Sequence, residues 1–321
     1  MGFSSSLSMM GCASCGFVPD NKSLLLRGPS SMGGGRLRWW PKRGSREGPN
    51  LVDYSMPFKL KSPLGRRLVV SSLEPQEEFS GRTSPNEVRK EIEMCYELVH
   101  KLGRGVVYLG SSRVRSDHSH YWQAAELARE IANLLDCTTW TGAGPGLMDA
   151  AIKGAFDAKK PVGGFKIARE SGEWTTSNFH PYLPSEMYLT CRFFSARKHG
   201  LVDAAVRNNP SDRTAVVAFP GGIGTLDEVF EILALIQLER IGSKLAVPFL
   251  LINYDSFYTK LLDFMDDCEK WGTVARGEVA SLWKVCNGNL EALEYLAEFY
   301  NISQSRRDYD IKIGSEQGIA L

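Results

Sequence analysis

The 321-residue chain has no apolar run long enough to cross a membrane as a helix. Its longest near-continuous apolar stretch, residues 245–252, contains Pro248 and suits a buried strand. No apolar segment of secretory type stands at the start. The seven cysteines are scattered, and the one CxxC, Cys12-Ala13-Ser14-Cys15, has no partner pair and reads as chance. A reduced, soluble, intracellular-type body is therefore expected. Of five histidines, only His118-Ser119-His120 has ligand-like spacing, and it is expected in a polar loop. No metal or other cofactor is implied.

Acidic residues are scarce in one region. Residues 1–73 hold eleven Lys and Arg against Asp20, Glu47 and Asp53, a net charge of +8. Taking these from the totals of 38 basic and 37 acidic residues leaves 27 and 34, so the remainder carries −7. An acidic body argues against a nucleic-acid partner, because phosphate backbones need clustered Lys and Arg. The leader is rich in Ser, Gly and Arg and lacks periodic apolar residues, which predicts a transit peptide. With no Arg-rich amphipathic helix at the very start, the plastid stroma is expected before the mitochondrion.

The body alternates helix and strand signals. Ser84-Pro85-Asn86-Glu87 is a capping box, followed by apolar residues at helical spacing to Leu102 and a stop at Gly103. Strands are expected near 106–109, 138–141, 161–167, 187–190, 214–219, 245–252 and 282–286, with helices between them. The helix after the fifth strand is expected to reach Arg240, and another to span 256–271. This order predicts an α/β fold, a Rossmann-like doubly wound parallel sheet in a single domain over residues 80–302. Residues 303–321 are expected to form a disordered tail.

In such a sheet, ligands sit at the C-terminal edge of the strands. Three loops fall there: Gly110-Ser111-Ser112, Gly142-Ala143-Gly144-Pro145-Gly146, and Pro220-Gly221-Gly222-Ile223-Gly224-Thr225. In the last two, glycines let the backbone approach a ligand, and the helix behind offers free N–H groups and a positive dipole end. Both read as phosphate cradles. Neither carries the lysine of a Walker loop. Gly142, Gly144 and Gly146 lack dinucleotide-fingerprint spacing, and the strand after them has no acid at its tip.

Glu228 lies early in the helix behind the third loop. A carboxylate there suits N-glycosidic cleavage, whose transition state resembles an oxocarbenium ion. It equally suits a first-turn acid that only complements the helix dipole. Arg197-Lys198, on another helix at the same sheet edge, fits either anion binding or a solvated helix face.

Pro220-Gly221-Gly222-x-Gly224-Thr225-x-x-Glu228, with Arg197-Lys198, Gly144-x-Gly146-Leu147-Met148 and Gly110-Ser111-Ser112, resembles the Lonely Guy (LOG) family over about residues 104–272. These are cytokinin riboside 5′-monophosphate phosphoribohydrolases, often labelled lysine decarboxylase-like. The resemblance implies a Rossmann-like homodimer that hydrolyses a nucleoside 5′-monophosphate to free base and ribose 5-phosphate. It implies Arg197 and Glu228 as the catalytic pair. It implies Gly110, Ser111, Ser112, Gly144, Gly146, Met148, Lys198, Gly221, Gly222, Gly224 and Thr225 as substrate- and phosphate-binding residues.

The chain also departs from the family pattern. Ala143 replaces a glycine, and Asp149 stands where a glycine is usual. Phe193-Phe194-Ser195-Ala196 precedes the Arg-Lys pair in place of Met-His-Glu, and Leu235-Ile236-Gln237-Leu238-Glu239 follows Glu228 where Trp-x-Gln-Leu-Gly is usual. These positions bear on which base is taken. The alternatives are a broad nucleotide nucleosidase, or a non-catalytic nucleotide- or cofactor-binding module like the molybdenum-cofactor carriers. A true lysine decarboxylase would hold pyridoxal phosphate on Lys153, Lys166 or Lys198, and no cofactor motif surrounds these.

Overall fold

Helix α1 (Pro85–Leu102) ends where Gly103, at φ +84°, turns left-handed and donates its N–H to the Val99 carbonyl. The computed structural model describes residues 85–167 and 179–312. The leader, Ser84 of the capping box and residues 313–321 lie outside that range.

Strand β1 (Gly105–Leu109) is buried throughout. Then come α2 (Ser119–Leu135), β2 (Thr138–Thr141), α3 (Leu147–Asp157) and β3 (Val162–Ile167). After a 3-10 turn at Ser185–Met187 follow β4 (Tyr188–Cys191), α4 (Phe194–Ala205), β5 (Ala215–Ala218) and α5 (Ile223–Gln237). The chain closes with β6 (Phe249–Ile252), α6 (Thr259–Trp271), α7 (Glu278–Leu282), β7 (Lys284–Cys286) and α8 (Asn289–Phe299).

The seven strands form one parallel sheet in the order β4-β3-β2-β1-β5-β6-β7. Chain order runs one way from β1 to β4 and the other way from β5 to β7. The reversal falls between β1 and β5, whose register pairs Val107 with Val216 and Leu109 with Ala218. This is the expected doubly wound α/β architecture, and it opens a crevice at the C-terminal ends of β1 and β5. Helices α2, α3 and α8 pack on one face around Leu127, Ile131, Leu147 and Leu293. Helices α1, α4, α5, α6 and α7 pack on the other around Val99, Leu201, Val229 and Phe249.

Some boundaries differ from the sequence reading. Strand β6 begins at Phe249, because Pro248 has no N–H for the ladder; its carbonyl still accepts from Val216 N–H. Helix α5 stops at Gln237, and Glu239 turns left-handed at φ +54°. The short α7 carries no clear period and was not expected. His118 is the N-cap of α2, its ring accepting from His120 N–H, and His120 is buried with Nε2 2.8 Å from Asp255. The expected tail is partly built in: Gln304–Arg306 forms a 3-10 turn, Arg307 pairs with Glu294, and Tyr309 and Ile311 pack against the core. Among the described residues, no helix is long and apolar enough to cross a membrane.

Candidate active site at the switch of strand order

The loops after β1 and β5 are tied across the crevice. Ser111 N–H donates to the Pro220 carbonyl at 3.1 Å, and Phe219 N–H donates to Leu109 at 2.8 Å. Tyr258 O–H donates to the Phe219 carbonyl at 2.6 Å and pins the end of β5 from the α6 side. Burial keeps that phenol neutral by raising its pKa.

Gly222 is the N-cap of α5 and brings no capping side chain. The N-cap side chain thus satisfies none of the first-turn N–H groups of this fifteen-residue helix. A Cβ added at Gly222 or Gly224 would meet nothing within 4 Å, so both border open space. One at Gly221 would lie 2.2 Å from Thr225 Oγ1. Gly221 is therefore what lets the buried Thr225 hydroxyl fold back under the loop.

The loop after β2 turns out different. Gly146 takes φ +73° and packs on the β1 loop so closely that a Cβ would lie 2.2 Å from the Ser111 carbonyl oxygen. That carbonyl also accepts the first N–H of α3, from Leu147, at 2.9 Å. The second glycine loop is thus packed as a joint at Gly146, whereas Gly222 and Gly224 of the α5 loop border open space. Ala143, where the family pattern has glycine, sits at φ +49°, a conformation that costs a residue with a Cβ about 1–2 kcal/mol.

A cleft of about 520 Å³ opens over these loops. Gly110, Ser111, Ser112, Met148, Arg197, Gly222, Gly224, Thr225 and Glu228 line it, as expected from the sequence. Gly144, Gly146, Gly221 and Lys198 do not. The cleft adds Arg113, Ile167, Phe194 and Ile223, which no sequence pattern had singled out as ligands. Their shared signal is position: each lies within four residues of a strand end or opens a helix at the C-terminal edge.

At the floor, Arg197 from α4 meets Glu228 from α5. Arg197 Nη2 lies 3.2 Å from Glu228 Oε1, and the two residues are 5% and 6% exposed. Gly142 makes the placement of Arg197 possible, since a Cβ there would fall 2.1 Å from Nη2. Met148 Sδ lies 3.9 Å from Nη2, and the Phe194 ring 5.4 Å from the guanidinium carbon.

Lys198 points elsewhere. Its ammonium lies 2.7 Å from Glu231 and 3.1 Å from Asp227, both on α5, with the side chain 19% exposed. These carboxylates raise its pKa against the opposing effect of desolvation. These ion pairs bridge α4 and α5.

Asp149 is likewise structural. It accepts from Tyr121 and Tyr182 O–H and lies 3.0 Å from Lys153 Nζ, joining α2, α3 and the segment before β4. The Tyr121 pKa is pushed up to about 12, by burial first and by Asp149 second.

A larger depression of about 650 Å³ opens at the opposite edge, where the strands begin. It has arginines but no glycine loop, and its Arg104 is spent on Asp203 at 2.9 Å. Among the described residues, no group of three or more His, Cys, Asp or Glu is placed to hold a metal ion.

Residues 148–296 match the family model described as possible lysine decarboxylase. The matched stretch runs from Met148 through Arg197 to the Pro220–Glu228 loop and beyond. Among solved structures, the chain is similar to the molybdenum cofactor binding protein from the phototrophic bacterium Rippkaea orientalis, at 16% identity over 62% of this chain and 98% of that one, TM-score 0.41. It is also similar to the molybdenum cofactor carrier protein from Chlamydomonas reinhardtii, at 18% identity over 61% of this chain and 98% of that one, TM-score 0.39. No curated protein matches the chain.

The family description raises pyridoxal phosphate, and the residues do not fit it. Among the described residues, no lysine lines the cleft. Lys153 is held by Tyr121 and Asp149, Lys198 by Asp227 and Glu231, and Lys166 is buried with Nζ 3.4 Å from the Ile167 carbonyl.

Proposed function

We propose that the chain is a LOG-type phosphoribohydrolase. It cleaves the N-glycosidic bond of a nucleoside 5′-monophosphate, of the cytokinin riboside kind or a related one, to free base and ribose 5-phosphate. The observation that carries this reading is the buried Arg197–Glu228 pair on the floor of a cleft whose rim is an uncapped helix N-terminus.

The 5′-phosphate docks on the α5 N-terminus beside Gly222, Gly224 and Thr225, where N–H groups and the helix dipole favour an anion. The ribose then lies over Glu228. As the C1′–N bond breaks, the carboxylate stabilises the oxocarbenium-like charge and orients a water molecule. That water gives its hydroxyl to C1′, and its proton ends on the departing base nitrogen. Arg197 holds Glu228 in place. Met148, Ile167, Phe194 and Ile223 offer the base an apolar wall.

Chromatography of a panel of 5′-monophosphates incubated with the full chain tests the proposal. Release of base with equimolar ribose 5-phosphate is expected. Tight nucleotide binding without turnover across the panel would overturn it in favour of a binding module. The same proposal has the protein work as a homodimer in the plastid stroma. Light scattering of the purified chain and an import assay with the 1–73 leader test these two points.

A further inference from the structure

Helix α4 delivers Arg197 to the cleft, yet its N-cap, Phe193, brings no capping side chain. The partner comes from α1. Glu91 accepts the Arg192 N–H on one carboxylate oxygen and the Phe193 N–H on the other, each at 2.8 Å. One side chain thus fixes two successive peptide units immediately before α4. Its negative charge also stands at the positive end of the helix dipole.

A short path carries this hold to the site. The Phe193 carbonyl accepts the Arg197 N–H at 3.2 Å, and Arg197 Nη2 lies 3.2 Å from Glu228 Oε1. One residue, the buried Phe193, therefore links the Glu91 carboxylate to the Arg197 backbone. Phe194, the next along the chain, lines the cleft. Helix α1 is itself seated against the end of β4. Cys95, one turn after Glu91, is fully buried with its Sγ 3.8 Å from Cys191 Sγ. The helix precedes both the stretch that resembles the LOG family and the matched residues 148–296, and neither assigns Glu91 a role.

We propose that Glu91 is a positioning residue of the site: by gripping the two peptide N–H groups before α4, it sets Arg197 against Glu228. This rests on the reading of the cleft as a hydrolase site. Glu91 takes no part in bond cleavage.

Steady-state base release from AMP by the full chain, run well below the melting midpoint of each variant, tests it. In Glu91→Ala, kcat should fall about ten- to a hundredfold, the size expected when a reacting group is displaced by about 1 Å. KM should stay near the wild-type value, because the cradle at α5 is untouched. Glu91→Gln keeps one accepting oxygen and should retain more of the rate. Glu87→Ala is the control. Glu87 pairs with the Arg192 side chain rather than with its backbone, so that variant should keep the wild-type kcat. Hydrogen exchange is read in parallel: amides 192–197 should exchange faster in Glu91→Ala, and those of α2 at the wild-type rate. Should Glu91→Ala not fold, Glu91→Gln carries the test, with a severalfold fall in kcat expected and an unchanged kcat against it. A wild-type kcat in Glu91→Ala, an equal loss in Glu87→Ala, a rise in KM alone, or unchanged exchange over 192–197 would overturn the proposal. Absence of base release by the wild type overturns the hydrolase reading alone; exchange over 192–197 then decides whether Glu91 holds Arg197.

Discussion

Arg197 Nη2 and Glu228 Oε1, 3.2 Å apart and almost fully buried, join the two helices that flank the crevice between β1 and β5. Each makes the burial of the other tolerable. Removing one partner of such a pair leaves an uncompensated charge and costs about 3–5 kcal/mol. Arg197→Met is therefore expected to lower the urea midpoint strongly, and Arg197→Met with Glu228→Gln to recover part of the loss. Equal midpoints for the single and double variants would show that the pair is not coupled.

The bridge beside it predicts a different pattern. Lys198 reaches Asp227 and Glu231, which flank Glu228 on α5, so it braces α4 against α5 from outside the cleft. Partly exposed pairs of this kind contribute up to about 1 kcal/mol each. In Lys198→Met, kcat should fall while KM stays near the wild-type value, and Lys198→Arg should restore most of the rate. A rise in KM alone would return Lys198 to the substrate.

Two glycines separate packing from placement. An alanine Cβ at Gly142 would lie 2.1 Å from Arg197 Nη2 and 2.7 Å from Met148 Sδ, so the guanidinium must leave Glu228. Gly142→Ala should lose most base release and lower the melting temperature through the unpaired Glu228. At Gly146 the obstacle is backbone, the Ser111 carbonyl oxygen at 2.2 Å, and φ is +73°. Gly146→Ala should lower the melting temperature by several degrees, the effect of a loss of about 1–2 kcal/mol. Thermal unfolding of both variants beside the activity assay checks the pair.

His180 makes stability depend on pH. Burial first, opposed by Asp149 and helped by Lys166, brings its pKa down from 6.5 to about 4. Its Nδ1 accepts N–H groups from Leu183 at 2.9 Å and Tyr182 at 3.4 Å, so protonating that nitrogen breaks both contacts. The unfolded chain takes up the proton near pH 6.5 and the folded one only near pH 4. Stability should therefore fall as pH drops through that window and level off below it. Melting temperatures at pH 7 and pH 5 should differ less in His180→Gln than in the wild type. Equal differences would rule His180 out as the source.

Much of this was legible in the chain because local rules dominate it. Alternating helix and strand signals sufficed for the parallel sheet, and the glycines before Thr225 marked the start of α5. The two glycine loops looked alike because spacing records flexibility and not what the loop touches. Only the contact of Gly146 with Ser111 makes one of them a joint. Arg197 and Lys198 stand side by side in the sequence, yet successive residues on a helix project in different directions, so one meets Glu228 and the other Asp227 and Glu231. The Asp149 network joins α2, α3 and the segment before β4, which no local pattern encodes. Arg113 belongs to no motif, and only the closing of the loops over the crevice brings it to the cleft.

The central claim is tested most directly by the rate of base release from AMP, measured side by side for the full chain and its Glu228→Gln variant. Losing a charge that stabilises the transition state should slow release by about 10²–10³-fold while the nucleotide still binds. Equal rates in the two proteins, or no release by the wild type, would contradict the account.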